Sequence, residues 1–470
     1  MLGEITEELA NVSLGDERLD RRARRLVETL AASPDESFPE QTAGDAELEA
    51  LYRFLSNERV RSESLLDPHA QLTAARARAA REVIVIHDTT IFSFRGEKPR
   101  KGLGRLKKSG QGFSAHMALV ASLEDGIPLG VVGVVPTVRD TPLRPRAETR
   151  AKVYDRPREF ARWETLLDDC FARLAGCRAI HVMDREADAY TILAKLHAAN
   201  HGFVIRCRKH DRELAVPWGD KARPRRLAKA LEQAPHILTR EVQLSTKRPD
   251  RLATLRHVPA RMARMATLHV TATSVDLRHP HYTAGKSRKG SSLPHSVPLN
   301  VVHVREQNVP AGQEPVEWIL YTSLPTATAD EVGAVIDAYR RRWLIEEYFK
   351  ALKSGCAFEK RQLESKHALL NALALFVPIA WRLLALRHLS RTEPSVPARS
   401  VLNQRQLTIL RARAKVKLSR SVTVREALLA IAAEGGHIKN NGDPGWQVLG
   451  RGYEKLLHME AGFVLGQAAK

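Results

Sequence analysis

Residues 83–94, VIVIHDTTIFSF, decide the fold class. The run Val83–Ile86 is short, apolar and β-branched, so it reads as a buried strand; HDTT follows as a turn and IFSF as an alternating strand. Downstream, HMALVASLEDGIPLGVVGVV (116–135) gives two apolar runs joined by Asp125 and Gly126, the dipeptide that best accommodates the positive φ of a tight hairpin. A helix is expected from about Arg156 to Leu174. After it, CRAIHVMD (177–184) is another buried strand, ending at Asp184.

Three strands, a helix and a returning strand is the order of the ribonuclease H fold, an α/β architecture. In that arrangement Asp88 and Asp184 lie at the ends of neighbouring strands, where ligand sites are the rule and a metal can be shared. Between about Phe203 and Leu324 the pattern is β again, with HILTREVQLS, ATLHVTATSVDL, PLNVVHVRE and EWILYTSL as strands. A basic Gly/Ser loop, 285–292, interrupts them. This β-strand insertion, about 203–324, separates Asp184 from the segment that follows.

The flanks are helical. Residues 16–32, DERLDRRARRLVETLAA, space Leu19, Ala23, Leu26 and Leu30 along one face, leaving Arg21, Arg22 and Arg25 for phosphate contact. A second helix is expected over Ala46–Leu55 with Asp45 as its cap. From Ala351 the chain reads as helix to about His388, then as a Pro/Ser linker, SRTEPSVPARS, and a final helical module. The expected division is an N-terminal helical module (1–66), a ribonuclease H-like domain (67–386) and a C-terminal helical module (387–470).

The chain has 470 residues, with 74 Lys and Arg against 54 Asp and Glu, a formal charge of +20. The charge is spread over many segments, which suits a folded polyanion binder. The apolar stretch Ala368–Trp381 is too short to span a bilayer and contains Asn371 and Pro378, so a membrane is not expected. No signal peptide is read, and a cytoplasmic, nucleoid-associated location is expected. Cys170, Cys177, Cys207 and Cys356 lack CxxC spacing, so neither zinc nor a disulfide framework is indicated.

Residues 339–353, YRRRWLIEEYFKALK, form one unbroken helical pattern. At about 100° per residue, Tyr339, Arg342, Glu346, Lys350 and Lys353 fall within an arc of roughly 80°, opposite Leu344, Ile345, Tyr348 and Leu352. Most charged helix faces are simply solvated. Likewise, Asp88 would serve equally to cap its turn, and Asp184 to cap a helix starting DREAD. The functional reading rests on convergence: two strand-end aspartates and a helical glutamate, each flanked by cations, suit a pair of Mg²⁺ ions, which bind through a few carboxylates plus waters and phosphate oxygens.

Tyr339-x2-Arg342-x3-Glu346-x6-Lys353 resembles the Y-R-E-K signature of bacterial insertion-sequence transposases of the DDE type. DREAD at 184–188, DTT at 88–90, LGDERLD near the N-terminus and YRFL at 52–55 extend the resemblance, in order, to the transposases of composite kanamycin-resistance transposons. The insertion and the C-terminal linker match least. The resemblance implies that Asp88, Asp184 and Glu346 are catalytic and hold two Mg²⁺, with Mn²⁺ as a substitute. It implies that Tyr339, Arg342 and Lys353 contact the transposon end, with Lys350 and Arg206 as further cations. Trp318 then stacks on a flipped base; without the resemblance it reads as a strand core residue.

The expected function is cut-and-paste DNA transposition through a hairpin intermediate. Its partners are double-stranded DNA, at the transposon ends and the target, and a second copy of the chain in a homodimer; no nucleotide cofactor is expected. Two alternatives are a transposase-derived DNA-binding regulator without catalysis and a stand-alone nuclease on the same core. The intact carboxylate set favours the transposase.

Overall fold

The computed structural model describes residues 5–96, 98–106, 110–138, 160–217, 220, 223–244, 246, 262–280, 293–413, 418–438 and 442–468. The basic loop 285–292 and the first residues of the helix expected from Arg156 lie outside them. Two compact units emerge: Met1–Cys177 with Trp343–Lys470, and Arg178–Arg342.

The first unit opens with α1 (Glu17–Ala32), α2 (Phe38–Gln41), α3 (Asp45–Ser56) and α4 (Ser62–Ala80). Asp16 caps α1, its carboxylate accepting the Arg18 N–H at 2.9 Å, and Ala23, Leu26, Val27 and Leu30 form the buried face. Asp45 is the first helical residue of α3, and Gly44 takes the cap position expected of it. A buried network anchors this end of the chain. His69 Nδ1 lies 2.6 Å from Glu8 Oε2, while its Nε2 accepts the Val131 N–H at 3.0 Å. That pairing fixes the proton on Nδ1.

β1 (Glu82–Phe94) runs antiparallel to β3 (Gln111–Ser122) from Val83↔Ser122 to Phe94↔Gln111 without a break. The expected turn at HDTT is therefore not formed, and Asp88 lies in mid-strand opposite Met117 rather than at a strand end. Pairing with β3 decides this: Thr89, Thr90, Ile91 and Phe92 tolerate extended backbone, and a turn would strip their N–H and C=O groups of ladder partners. β2 (Gly104–Arg105) pairs with the start of β3, and β4 (Pro128–Thr137) completes the expected hairpin, with Gly126 at φ 74°. α5 (Ala161–Arg173) packs Trp163, Leu166 and Leu167 inward.

In the second unit β5 (Arg178–Met183) and β6 (Gly202–Arg206) are parallel, with α6 (Tyr190–Ala198) between them in sequence. α7 (Leu227–Glu232) precedes the strands β7 (His236–Leu244), β8 (Arg264–Arg278), β9 (Ser296–Gln307) and β10 (Glu317–Thr322). These form an antiparallel meander, and β10 also pairs with β6. The four strands expected over this stretch are all present. Along β8 the alternation is clear: Ala266, Leu268, Val270 and Ala272 are buried, while Thr267, His269 and Thr271 are only half-buried. α8 (Ala329–Arg340) starts at a Thr328–Glu331 capping box and is tied to β7 by Arg240–Asp337 at 2.9 Å.

The chain then returns to the first unit as α9 (Trp343–Lys350), a π-helical segment Ala351–Gly355 and α10 (Lys366–Thr392). Residues 339–353 are thus not one helix. α8 ends in a tight turn, Arg342 N–H bonding the Tyr339 carbonyl at 3.0 Å, and α9 starts afresh at the boundary between the units. α10 has 27 residues, so by length and hydropathy it could cross a membrane, contrary to the expectation from Ala368–Trp381. Its most apolar stretch is 94% buried within the protein. Asn371, one of the residues counted against a span, donates to the carbonyls of Leu55 and Val60 at 2.9 Å each. The chain ends in α11 (Gln404–Arg413), α12 (Val424–Glu434) and α13 (Trp446–Ala468).

Candidate active site

Asp88 and Glu346 belong to the first unit, Asp184 to the second. Among the described residues no three His, Cys, Asp or Glu side chains converge as a metal-binding group.

In the first unit, the Asp88 carboxylate accepts its neighbour Thr89's N–H at 2.7 Å. Thr89 Oγ1 lies 2.9 Å from His116 Nδ1 and accepts from Arg162 Nε at 3.3 Å. His87, His116 and Trp163 stack beneath, with His116 and Trp163 only 4.0 Å apart. Burial, and then the Arg162 charge, press the His116 pKa down to about 3, so this imidazole is neutral. The residues on either side of Asp88, His87 and Thr89, thus meet a buried ring cluster and Arg162, while Asp88 itself pairs across the ladder with Met117.

Glu346 lies in the first turn of α9, the end at which the helix dipole favours an anion. Ile345 and Tyr348 anchor α9 inward, and the Tyr348 hydroxyl donates to the Val377 carbonyl at 3.2 Å. Lys353, on the π-helical segment, donates to the Ile91 carbonyl at 2.6 Å, and its ammonium sits over the Phe92 ring. This contact ties the π-helical segment to the strand that carries Asp88. Burial lowers the Lys353 pKa, opposed by Glu359. Lys350 is half exposed and donates to Glu347 at 2.6 Å.

In the second unit, Asp184 follows β5 and caps the 3₁₀ turn Arg185–Ala187 through the Glu186 N–H at 2.9 Å, so the capping reading holds locally. Tyr339 is 5% exposed and meets Trp318 edge-on at 5.3 Å. Trp318 itself is half-buried. Arg206 bonds the Glu317 carbonyl at 3.0 Å and shares a hydrogen bond with Tyr339. Burial raises the Tyr339 pKa against the pull of Arg206 and Arg342, and Asp184 adds to the rise. Burial likewise lowers that of Arg206. Asp184, Arg206, Trp318, Tyr339 and Arg342, drawn from distant stretches of sequence, thus cluster within one unit. Asp188 is structural: it pairs with Arg212 and accepts the backbone N–H groups of Arg208 and Lys209.

Outside this region, Arg21 and Arg25 are exposed on α1, Arg25 pairing with Glu47 at 2.8 Å, and Arg22 is half-buried. The sequence reading overlooked Trp343, which is 59% exposed one turn before Glu346 on α9. Its position in the motif was visible, but a lone tryptophan in an amphipathic pattern reads as core. The Thr89–His116–Arg162 support had no signal in the sequence, since its members come from separate elements.

Residues 79–377 match the transposase DDE domain family, and residues 4–60 match a transposase DNA-binding family. The chain belongs to the DDE-domain transposases, a class of DNA transposase, and carries a DNA-binding segment ahead of that domain. A cryo-EM structure of the piggyBac transposase synaptic complex with hairpin DNA is similar over 93% of this chain and 87% of that one, at 10% identity and a TM-score of 0.35. A likeness that weak carries no argument about chemistry.

Proposed function

We propose that this transposase works by cut-and-paste, with Asp88, Asp184 and Glu346 as the carboxylates that hold two Mg²⁺ ions on a ribonuclease H-like core. The observation that carries the reading is the DDE-domain match over 79–377, which contains all three residues. An all-carboxylate donor set suits Mg²⁺ or Mn²⁺ better than zinc. Bound there, the ions would supply an activated water and stabilise the leaving oxygen of an in-line displacement.

Asp88 and Asp184 are each oriented by a backbone N–H, which prepares them as fixed ligands. Tyr339 and Arg206 brace one another beside Asp184, and with Arg342 and Lys353 they would hold the transposon end. Trp318, packed on Tyr339, would stack on a base flipped out as the free 3′ hydroxyl attacks the opposite strand to form a hairpin. After hairpin opening the 3′ ends would be joined to target DNA. Residues 1–66 would recognise the ends, 67–386 carry the chemistry and 387–470 pair two subunits. A cytoplasmic, nucleoid-associated setting fits this work.

The test is Mg²⁺-dependent cleavage of a supercoiled plasmid carrying the DNA that flanks the gene, comparing wild type with Glu346→Ala. Paired breaks with hairpin ends, abolished in the variant while end binding persists, are expected. Binding without breaks would indicate a regulator, and breaks at unrelated positions a nuclease.

A further inference from the structure

The residue next to Glu346 is tied to the far end of the chain. Glu347 Oε1 accepts from Lys350 at 2.6 Å, while Oε2 accepts the Trp446 indole N–H at 3.2 Å and lies 3.3 Å from Arg387 Nη1. The Arg387 guanidinium, on α10, sits 4.3 Å over the Trp446 ring. Trp446 is 8% exposed and is the first residue of α13.

The surroundings make this junction stiff. A Cβ on Gly450 would come within 2.8 Å of the Gly355 carbonyl, so α13 touches the backbone of the π-helical segment directly. A Cβ on Gly452 would lie 1.8 Å from the Ile431 carbonyl, so α12 and α13 also meet backbone to backbone. Asp443, just before α13, accepts from Arg391 on α10 at 3.1 Å and from Arg425 on α12 at 2.6 Å. The start of α13 is therefore fixed to three elements, and Glu347 is the side chain by which it holds α9.

We propose that Glu347 is a positioning residue for DNA cleavage: with Arg387 and Trp446 it fixes α9 to the C-terminal helix, so that the C-terminal segment sets the placement of the Glu346 carboxylate. The inference rests on the reading of Glu346 as a metal ligand. A π-helical segment directly after α9 gives the helix a place to shift, since such segments interrupt the regular ladder and recur at functional sites. The Glu347 contacts oppose that shift.

The experiment uses the full chain with its end DNA and measures cleavage rate against Mg²⁺ concentration, end binding by gel shift, and melting temperature. Glu347→Ala is expected to raise the Mg²⁺ midpoint and lower the maximal rate, each on the order of tenfold, the range typical of groups that orient a metal ligand. Trp446→Phe, which keeps an aromatic ring but removes the N–H donor together with one ring of the indole, should move the midpoint in the same direction by less. Glu347→Gln, retaining an acceptor, should fall between wild type and Glu347→Ala. End binding should stay within about twofold throughout, because none of these groups is placed at phosphate. If all three variants keep the wild-type Mg²⁺ midpoint, even with lower rates or melting temperatures, the positioning role is overturned and the junction is structural only. Glu346→Ala run alongside separates the two levels. Cleavage by that variant would remove the metal-ligand reading itself, whereas its inactivity beside wild-type Mg²⁺ midpoints for Glu347 and Trp446 variants would remove only this inference.

Discussion

At the residue scale, identical side chains take different roles according to what surrounds them. Glu346 was legible because it sits in a motif, whereas Glu454 had no sequence signal. Glu454 is 6% exposed on α13, and burial, followed by hydrogen bonds to Asp35 and Glu36, pushes its pKa up to about 9. In the unfolded chain it would titrate near 4.5. Between those values the folded state keeps a proton the unfolded state has released, so folding stability falls as pH rises through that window. Glu454→Gln, which mimics the protonated form, is expected to raise the melting temperature at pH 8 by a few degrees and leave it nearly unchanged at pH 4. Melting curves of the two proteins across pH check this; equal slopes against pH would show that Glu454 does not carry the effect.

At the element scale, the expected strands and helices largely appear where their periodicities put them. The failures have specific causes. HDTT resembles a turn by composition, yet β3 offers ladder partners through Phe94, and backbone pairing overrides local turn preference. The 339–353 pattern continues in phase across the turn at 341–342, so no single-sequence period could reveal that two helices share it. Close helix contacts were also invisible, because a glycine in α13 looks merely unfavourable until its neighbour is known. Gly452→Ala would place a methyl inside van der Waals reach of the Ile431 carbonyl. It should therefore cost about 1–3 kcal/mol despite the better helix propensity of alanine, as measured by urea unfolding. A stabilised variant would mean that α12 and α13 separate readily.

At the scale of the whole molecule, a charge of +20 on a chain with a transposase DNA-binding segment makes phosphate neutralisation the main source of affinity. With roughly six to ten phosphates engaged, binding to end DNA should weaken by about 10³–10⁵ between 50 and 200 mM salt. Fluorescence anisotropy over that range tests it, and Arg21→Ala with Arg25→Ala should reduce the salt slope by about two. A flat salt dependence would contradict recognition led by phosphate.

The sequence by itself determined the α/β class, the hairpin after β1, the strands β7 to β10, the transposase family and the carboxylates worth testing. Each of these is written in short-range periodicity or in fixed motif spacing. Only the tertiary structure decided that Asp88 sits in mid-strand opposite Met117, that Tyr339 is buried between Trp318 and Arg206, and that Glu347 meets Trp446 across about a hundred residues of chain. Those facts depend on which distant groups become neighbours, and that follows from the packing of whole elements, which no local pattern encodes.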